Sequence, residues 1–327
     1  MTTEVLWISA AEISALNIPM QDIMERVEAG FASVGRGETE MPAKIGIHPR
    51  ENCFIHAMPC YVGGEDLAGI KCISGYPPNP AKGHPYITGL MVLCDPATGL
   101  PLAVMDAAWI TAWRTGAASG VYARHFGNQD SASVALIGTG VQARTNLLAM
   151  KEVFPRLDTV FCQDISDEAM ARFINDMQPL LPKAEFVACP DIPAAVGDAD
   201  VLITCTPIVE APERPVARSM IKPDCLAIAV DYDAALNADV FAGGHFTCDN
   251  FNQYTWTREQ GGYFRNGYPG PADIDADMGE ICSGAKEGLR AGQRGAVLMG
   301  IASHDVMTAA LVHEKALAAG IGTEVKL

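Results

Sequence analysis

The stretch SVALIGTGVQAR, residues 133–144, decides the fold of this chain. Within it Gly138, Gly140 and Ala143 form the pattern GxGxxA, directly after an apolar run and at the start of a helix-like segment. The first glycine permits a tight turn, and the second lets the backbone approach a diphosphate at the amino end of the helix. The small third residue lets the helix pack on the strand. The pattern therefore predicts a dinucleotide-binding βαβ unit.

Asp164 strengthens this interpretation. It lies 21 residues after Ala143, at the end of the next apolar run. An acid at this position accepts hydrogen bonds from both ribose hydroxyls and repels a 2′-phosphate, so the pair predicts NAD(H) in preference to NADP(H). A second interpretation, in which Asp164 only caps the end of its strand, stays open.

The periodicity of the flanking sequence predicts a two-lobed α/β protein. Short apolar runs alternate with helix-like segments over residues 133–250, which predicts a Rossmann-type doubly wound parallel sheet. Strand-like runs over residues 45–105 predict a largely antiparallel sheet, and the Ala-rich residues 107–126 predict a helix that leads out of it. Residues 261–275 show neither the helical nor the strand period, which predicts a loop. In one interpretation this loop is mobile and lies near the active site. A last helix over residues 306–319 is expected to pack on the first lobe.

Composition disfavours several classes of partner. The 327 residues include 39 acids and 23 bases, and the net charge of -16 disfavours nucleic acid and anionic membranes. No apolar run reaches the ~18 residues that a membrane span needs, and the opening residues carry acids where a secretory signal carries bases, which predicts a cytoplasmic protein. The ten cysteines contain no CxxC and mostly lie in apolar runs, so we expect reduced core thiols and no metal site.

Four charged or titratable residues stand in apolar surroundings. Arg114 needs an anion, either an internal carboxylate or a bound one. Lys71, on the apolar face of its strand, either extends to an edge or faces a ligand. A satisfied core histidine is the favoured interpretation of His56. Asp231 ends the fifth parallel strand, at the edge where doubly wound sheets bind ligands, and it either meets a ligand nitrogen or caps the following helix.

Four segments resemble the ornithine cyclodeaminase/mu-crystallin family in order and spacing. They are GIKCISGYPPN (69–79), YITGLMVLCDPATGLPLAVMDAAWITAWRTGAAS (86–119), IGTGVQA (137–143) and GIASHDVMTAALVHEKALAAGIG (300–322). The resemblance covers nearly the whole chain. It implies a discontinuous α+β substrate-binding and dimerisation domain of residues 1–128 and 304–327, and a NAD-binding Rossmann domain of residues 129–303. It also implies a homodimer built through the N-terminal sheets.

The resemblance also implies roles for particular residues. Lys71 and Arg114 would bind the substrate carboxylate, Asp231 would face the substrate nitrogen, and Lys44 and His56 would complete the substrate site. Lys71 and Asp231 are the predicted catalytic residues. The predicted cofactor-binding residues are Thr88, Arg114, Gly138, Gly140, Val141, Gln142, Asp164, Thr206 and Asp231.

Two departures from the family pattern bear on the reaction. Lys44 stands where many relatives have arginine, and lysine lacks the two-pronged grip of a guanidinium. The segment AIAVDYDAAL, residues 227–236, lacks the glycine-rich GxDxPGK turn of cyclodeaminases. We therefore expect NADH-dependent reduction of a small carboxylated imine to an L-amino acid. Similarity to the iminosuccinate reductase branch makes conversion of iminosuccinate to L-aspartate the first candidate.

Three alternatives remain. The first is an ornithine-type cyclodeaminase, an ammonia lyase with internally recycled NAD. The second is another imine or alanine-type dehydrogenase of the same family. The third is a ligand-binding protein of the mu-crystallin type, although the presence of Lys71, Arg114 and Asp231 favours chemistry over binding alone.

Overall fold

The computed structural model describes residues 4–209 and 211–327, which form two compact units. One unit runs through Arg114 and includes Ile301–Leu327, and the other is Thr115–Gly300. The domain limits predicted from the sequence, 128/129 and 303/304, differ from these. The first observed limit falls inside one continuous helix, where no change of composition marks it. Across the described part of the chain, none of the helices has the length and apolarity required to span a bilayer.

The first unit opens with a strand and two helices and continues as a sheet. These elements are β1 (Glu4–Ile8), α1 (Ala10–Ala15), α2 (Met20–Gly35), β2 (Thr39–Glu40), β3 (Ile45–Ile47), β4 (Phe54–Val62), β5 (Leu67–Gly75), β6 (Ile87–Cys94) and β7 (Pro101–Asp106). Helix α3 (Ala107–Phe126) leads out of the sheet, as its Ala-rich sequence predicts.

The second unit alternates strands with helices. Its elements are β8 (Ser133–Ile137), α4 (Val141–Val153), β9 (Thr159–Gln163), α5 (Asp167–Met177), β10 (Glu185–Ala188), α6 (Ile192–Val196), β11 (Val201–Thr204), β12 (Leu226–Ala229), β13 (His245–Cys248), α7 (Phe251–Gln260), β14 (Ala276–Asp277), α8 (Met278–Cys282) and β15 (Arg294–Val297). The chain then returns to the first unit as α9 (Ala302–Ala319) and β16 (Thr323–Lys326).

The sheet of the first unit is largely antiparallel, as predicted. Its strand order is β16-β1-β7-β6-β5-β4-β2, with β3 also paired to β4, and β1 with β7 is the parallel pair among the described strands. Helices α2 and α9 pack together, and α9 lies on β4, β5 and β6. Met58, Lys71 and Met91 are register partners that share the covered face and are buried there. The final helix therefore packs where the sequence predicts.

The sheet of the second unit is parallel throughout. Its order is β10-β9-β8-β11-β12-β15-β13-β14. Strands β8, β11 and β12 are fully buried, since helices cover apolar strands of this kind on both faces. The order reverses between β8 and β11, and a crevice forms at the carboxyl ends of strands at such a reversal. The predicted Rossmann-type sheet is confirmed.

The loop at residues 261–275 is packed against the core of the second unit. Phe264 and Tyr268 are buried within an aromatic cluster. The Phe264 N–H donates to the Asp233 carboxylate at 3.1 Å, and the Tyr268 hydroxyl donates to the Leu236 carbonyl at 2.5 Å. Apart from one 3-10 turn at Pro271–Asp273, these individual contacts hold the loop in place.

Candidate active site

The glycine-rich turn has the geometry that its sequence predicts. Gly138 has φ +85°, and a Cβ there would lie 2.8 Å from the Cys205 carbonyl oxygen, so a larger residue is excluded. Gly140 is the N-cap of α4, where no side chain caps the helix. Val141, the first helical residue, is 64 % exposed. The amino end of this helix is thus open to an anion, which its backbone N–H groups and dipole favour.

Asp164 is bonded to the same turn. Its Oδ2 accepts hydrogen bonds from the Thr139 backbone N–H at 2.7 Å and from the Thr139 hydroxyl at 2.8 Å. Its Oδ1 accepts from the Ser166 N–H at 3.0 Å. Asp164 therefore bonds to the neighbouring backbone, and of the roughly four lone-pair positions of its carboxylate one on Oδ1 is left for a ribose hydroxyl. Ile165, which sequence reasoning missed, is fully exposed beside it and offers an apolar surface to a base.

These residues fit a dinucleotide. Arg144 braces the turn by donating to the Thr139 and Gly140 carbonyls at 3.0 and 3.1 Å. The buried side-chain oxygen of Gln142 has no hydrogen-bond partner within the described residues, as expected of a group that a ligand would satisfy. The open helix end matches a diphosphate, and Asp164 matches an unphosphorylated ribose.

A preference for NADH over NADPH is expected from Asp164, and Asp164→Ala should relax it. The substitution removes both the acceptor for the ribose hydroxyls and the repulsion of a 2′-phosphate. The measurement is kcat/KM for each coenzyme in both proteins. Because Asp164 also holds Thr139, Asp164→Asn is the companion variant that retains the size of the side chain. A wild-type preference for NADPH would contradict the ribose role.

Asp231 is a buried carboxylate held by two threonines. It is 1 % exposed and accepts hydrogen bonds from the Thr204 hydroxyl at 2.5 Å, the Thr206 hydroxyl at 2.6 Å and the Thr206 N–H at 3.1 Å. Burial raises the pKa of Asp231 to about 6, although these hydrogen bonds act in the opposite direction. Within residues 4–209 and 211–327 no helix N–H donates to this carboxylate, and its contact with a ligand nitrogen stays a prediction.

Thr206 joins Asp231 to the glycine-rich turn. The Thr206 nitrogen lies 3.2 Å from the place where a Cβ on Gly138 would stand, and the same nitrogen donates to Asp231. Thr206 follows β11 and Gly138 follows β8, the two strands at which the sheet order reverses. Asp231 therefore lies at the ligand-binding edge of this sheet. Sequence reasoning gave no role to Thr204, the second residue that orients it.

Asp233, two residues after Asp231, has a different environment. A continued strand would point Asp231 and Asp233 the same way, but β12 ends at Ala229 and Tyr232 has φ +62°. The Asp233 carboxylate instead forms an ion pair with Arg214 and accepts from the Phe264 N–H. The backbone turn at Tyr232 thus separates the two acids, so that Asp233 binds the 261–275 loop.

Lys71, Arg114 and Asp305 form a buried ionic cluster in the first unit, named the Asp305 cluster below. The Asp305 Oδ1 accepts from the Lys71 Nζ at 2.7 Å and from the Arg114 Nε at 2.9 Å. Lys71 is 1 % and Arg114 5 % exposed, and Asp305 is wholly buried. An internal carboxylate therefore meets both cations. An internal carboxylate is one of the two partners predicted for Arg114, and the acid is Asp305.

The electrostatics of the Asp305 cluster are unbalanced. Burial lowers the pKa of Lys71 to about 7, although Asp305 counteracts this. Burial raises the pKa of Asp305, but Lys71 and Arg114 outweigh it and leave that pKa below its ordinary value. With Lys71 protonated, two cations share one anion. Burying the surplus positive charge is costly, and a bound anion would offset that cost.

His56 is half-buried on β4. Its ring stacks on Phe54 with centroids 4.2 Å apart. Burial, together with the nearby basic groups Lys44, His48 and Lys71, lowers the pKa of His56 to about 3. A pKa this low leaves the His56 ring neutral at physiological pH, and its place in the substrate site stays a prediction. Lys44 lies near enough to lower the pKa of Lys71 as well.

Thr88 lies on the opposite face of the first sheet from Lys71. It is exposed and pairs with Ser74, whose hydroxyl donates to the Thr88 carbonyl at 3.1 Å. Lys71 pairs instead with Met91, three positions along β6 from Thr88, and strand alternation sends residues three apart to opposite faces. The role of Thr88 at the cofactor stays a prediction.

The sequence profile of the ornithine cyclodeaminase/mu-crystallin family matches residues 4–320. The chain belongs to this family. It is 32 % identical to the nodulation efficiency protein NfeD of Rhizobium meliloti, with 99 % of each chain covered. It is 30 % identical to alanine dehydrogenase of Archaeoglobus fulgidus, with 99 % of this chain and 98 % of the relative covered.

Solved structures of family members share the fold. The Δ(1)-pyrroline-2-carboxylate reductase of Thermococcus litoralis, in complex with NADH and L-proline, matches with TM-score 0.88 and 30 % identity, covering 98 % of this chain and 100 % of that one. An archaeal alanine dehydrogenase dimer with bound NAD matches with TM-score 0.85 and 29 % identity, covering 99 % of this chain and 100 % of that one. The iminosuccinate reductase of Paracoccus denitrificans matches with TM-score 0.84, covering 99 % of this chain and 100 % of that one. At 20 % identity this match shows the fold alone.

Proposed function

We propose that the protein is an NADH-dependent reductase that converts a small carboxylated imine to an L-amino acid. The observation that carries the proposal is the Asp305 cluster, in which two buried cations share one carboxylate oxygen. A substrate carboxylate supplies the missing negative charge. Both cations form charge-assisted hydrogen bonds, and the planar guanidinium of Arg114 adds directional recognition of a carboxylate.

The protein is an NAD(H)-dependent oxidoreductase. Gly138, Gly140, Val141 and Gln142 would hold the diphosphate, and Asp164 the ribose. NAD(H) supplies hydride chemistry when bound. Family members solved with NADH or NAD, at about 30 % identity over nearly the whole chain, support this assignment.

Asp231 is assigned to the substrate nitrogen. Its carboxylate accepts a hydrogen bond from the imine nitrogen and so favours the protonated imine, whose carbon accepts hydride more readily than that of the neutral imine. Thr204 and Thr206 hold the acid in place, so little reorganisation is needed as charge shifts during reaction. The proton stays on nitrogen and hydride adds to carbon, so that an amino acid results.

Iminosuccinate is the first substrate to test, with Lys44 as the cation for its second carboxylate. His56, being neutral, contributes no charge to that group. A second candidate class carries a single carboxylate: cyclic imines such as pyrroline-2-carboxylate, or the imine of pyruvate and ammonia. The surplus of one positive charge in the Asp305 cluster favours this class. Cyclodeamination of ornithine is the remaining enzymatic alternative.

The deciding assay follows NADH absorbance with iminosuccinate, pyrroline-2-carboxylate, and pyruvate plus ammonia offered in parallel. We expect stoichiometric loss of NADH with at least one of them. A cyclodeaminase would release ammonia from ornithine with no net change in NADH. A binding protein would take up NADH and turn over none of the substrates. Either of the last two results would refute the reductase proposal.

We further propose a cytoplasmic homodimer. The face of the first sheet that α9 does not cover carries exposed apolar residues on neighbouring strands, namely Trp7, Ile70, Leu90 and Leu102. A second copy would remove this apolar surface from water. The dimer of the archaeal alanine dehydrogenase structure supports the assembly. None of the cysteines forms a disulfide within residues 4–209 and 211–327, which agrees with a reducing compartment.

A further inference from the structure

Asp305 satisfies two cations with one atom. Its Oδ1 lies 2.7 Å from the Lys71 Nζ and 2.9 Å from the Arg114 Nε. Its Oδ2 is buried and has no hydrogen-bond partner anywhere in residues 4–209 and 211–327. Asp305 lies in the first turn of α9, while the cations come from β5 and α3. One acid on a third element therefore sets the relative position of both basic groups.

The contact with Nε constrains how Arg114 can bind a ligand. A guanidinium grips a carboxylate through two neighbouring N–H groups, either Nε with one terminal nitrogen or both terminal nitrogens together. Asp305 occupies Nε. Among the described residues no acceptor meets either terminal nitrogen, so the pair of terminal nitrogens is available to a ligand.

We propose that Asp305 is a positioning residue that orients Lys71 and Arg114 so that a substrate carboxylate is bound end-on by the two terminal nitrogens of Arg114, with Lys71 beside it. The inference rests on the proposed function for the identity of the ligand. It assigns to Asp305 no contact with substrate or cofactor. Asp305 acts through the two cations that it holds.

The groups around the Asp305 cluster define its pH dependence. Lys44 adds positive charge near Lys71, His56 on β4 is neutral, and Cys60 on β4 has its pKa raised to about 12 by burial. His304, adjacent on α9, packs edge-on against Phe31, and burial lowers its pKa to about 3. Neutral histidines and a protonated thiol leave Asp305 as the anion that keeps Lys71 charged. Without Asp305, the loss of an opposite charge within hydrogen-bond distance should lower the Lys71 pKa further.

The first test uses the wild-type protein. We expect a crystal structure with NADH and pyruvate to show the pyruvate carboxylate on the two terminal nitrogens of Arg114, with Nε still bonded to Asp305. A carboxylate that displaces Asp305 from Nε would overturn the proposal. Absence of pyruvate binding by titration and in the crystal would also overturn it.

The second test compares variants by titration with pyruvate in the presence of NADH. Asp305→Asn keeps the size but removes the charge, so we expect at least a tenfold loss of pyruvate affinity at pH 7.5 that is partly restored at pH 6. The NADH Kd should change less than twofold. Glu314 lies on the same helix as Asp305, and Glu314→Gln loses an exposed ion pair with Arg26 of α2; this variant is the matched control and should match wild type.

A purely structural role for Asp305 would give a different result. Should Asp305→Asn prove unstable, Asp305→Glu keeps the charge but moves the carboxylate along by one methylene. If Asp305 positions the two cations, Asp305→Glu should raise the KM for the keto acid and keep the wild-type pH profile. If Asp305 only neutralises charge, Asp305→Glu should keep the wild-type KM. Pyruvate binding without turnover of any imine would refute the proposed function alone. Wild-type pyruvate affinity in Asp305→Asn would refute this inference alone.

Discussion

Replacement of Asp231 by Asn should lower kcat by about two orders of magnitude or more while NADH binding stays nearly intact. Asn keeps the shape of the side chain and one acceptor for the threonines, but it lacks the negative charge that would stabilise a protonated imine. The measurement combines steady-state kinetics on the imine that proves active with a fluorescence titration of NADH. A loss confined to kcat would assign Asp231 to the chemical step.

The pH profile gives an independent measure of the same residue. Because burial raises the Asp231 pKa to about 6, the carboxylate is ionised above that pH and protonated below it. If the ionised form is the active one, kcat/KM should fall as the pH is lowered through about 6. This acid limb should be absent in Asp231→Asn.

Asp233→Asn is the control for this prediction. Asp233 binds Arg214 and the 261–275 loop rather than the threonines around Asp231, so its loss should affect stability more than kcat. The reverse pattern, with Asp233→Asn inactive and Asp231→Asn active, would show that Asp233 and not Asp231 is the acid that takes part in the reaction.

Removal of either cation of the Asp305 cluster should lower kcat/KM about 10- to 150-fold or more. Each charge-assisted hydrogen bond to a substrate carboxylate contributes roughly 1.5–3 kcal/mol. Arg114→Met and Lys71→Met remove these bonds, and Asp305 keeps one cationic partner in each variant. The effect should lie mainly in KM for the carboxylated substrate, with little change in the NADH Kd.

Arg114→Lys is the matched variant because it retains the charge but not the fork of N–H groups. It should recover part of the lost affinity if charge dominates, and little if end-on binding is required. If Arg114→Met lost its fold with no selective effect on the substrate, the internal ion pair would be the main role of this residue. For Lys71, whose pKa burial lowers to about 7, carboxylate affinity should also decline in wild type as the pH rises through about 7.

The sequence by itself determined the dinucleotide-binding half of the molecule. The GxGxxA pattern specifies a turn because glycine can adopt a positive φ, and Gly138 has a positive φ at the position where the pattern requires it. Alternating apolar runs specify buried parallel strands, and the uniform Ala-rich run specifies all of α3. Asp231 and Asp164 could be placed at the carboxyl edge of the sheet because each follows an apolar run, and parallel strands all end at the same edge. These properties depend on residues close together in the chain.

Only the tertiary structure decided the electrostatics of the substrate half. Asp305 lies 234 residues from Lys71 and 191 from Arg114, and no local period links an acid in the last helix to a strand or to α3. The neutrality of His56 depends on burial and on cations from other elements, which a strand pattern does not encode. The separation of Asp231 from Asp233 depends on a left-handed Tyr232, which packs against Tyr263 and Phe264 from a distant loop. Charge and orientation in a buried site depend on which groups folding brings together, whereas the backbone pattern depends on neighbours in the chain.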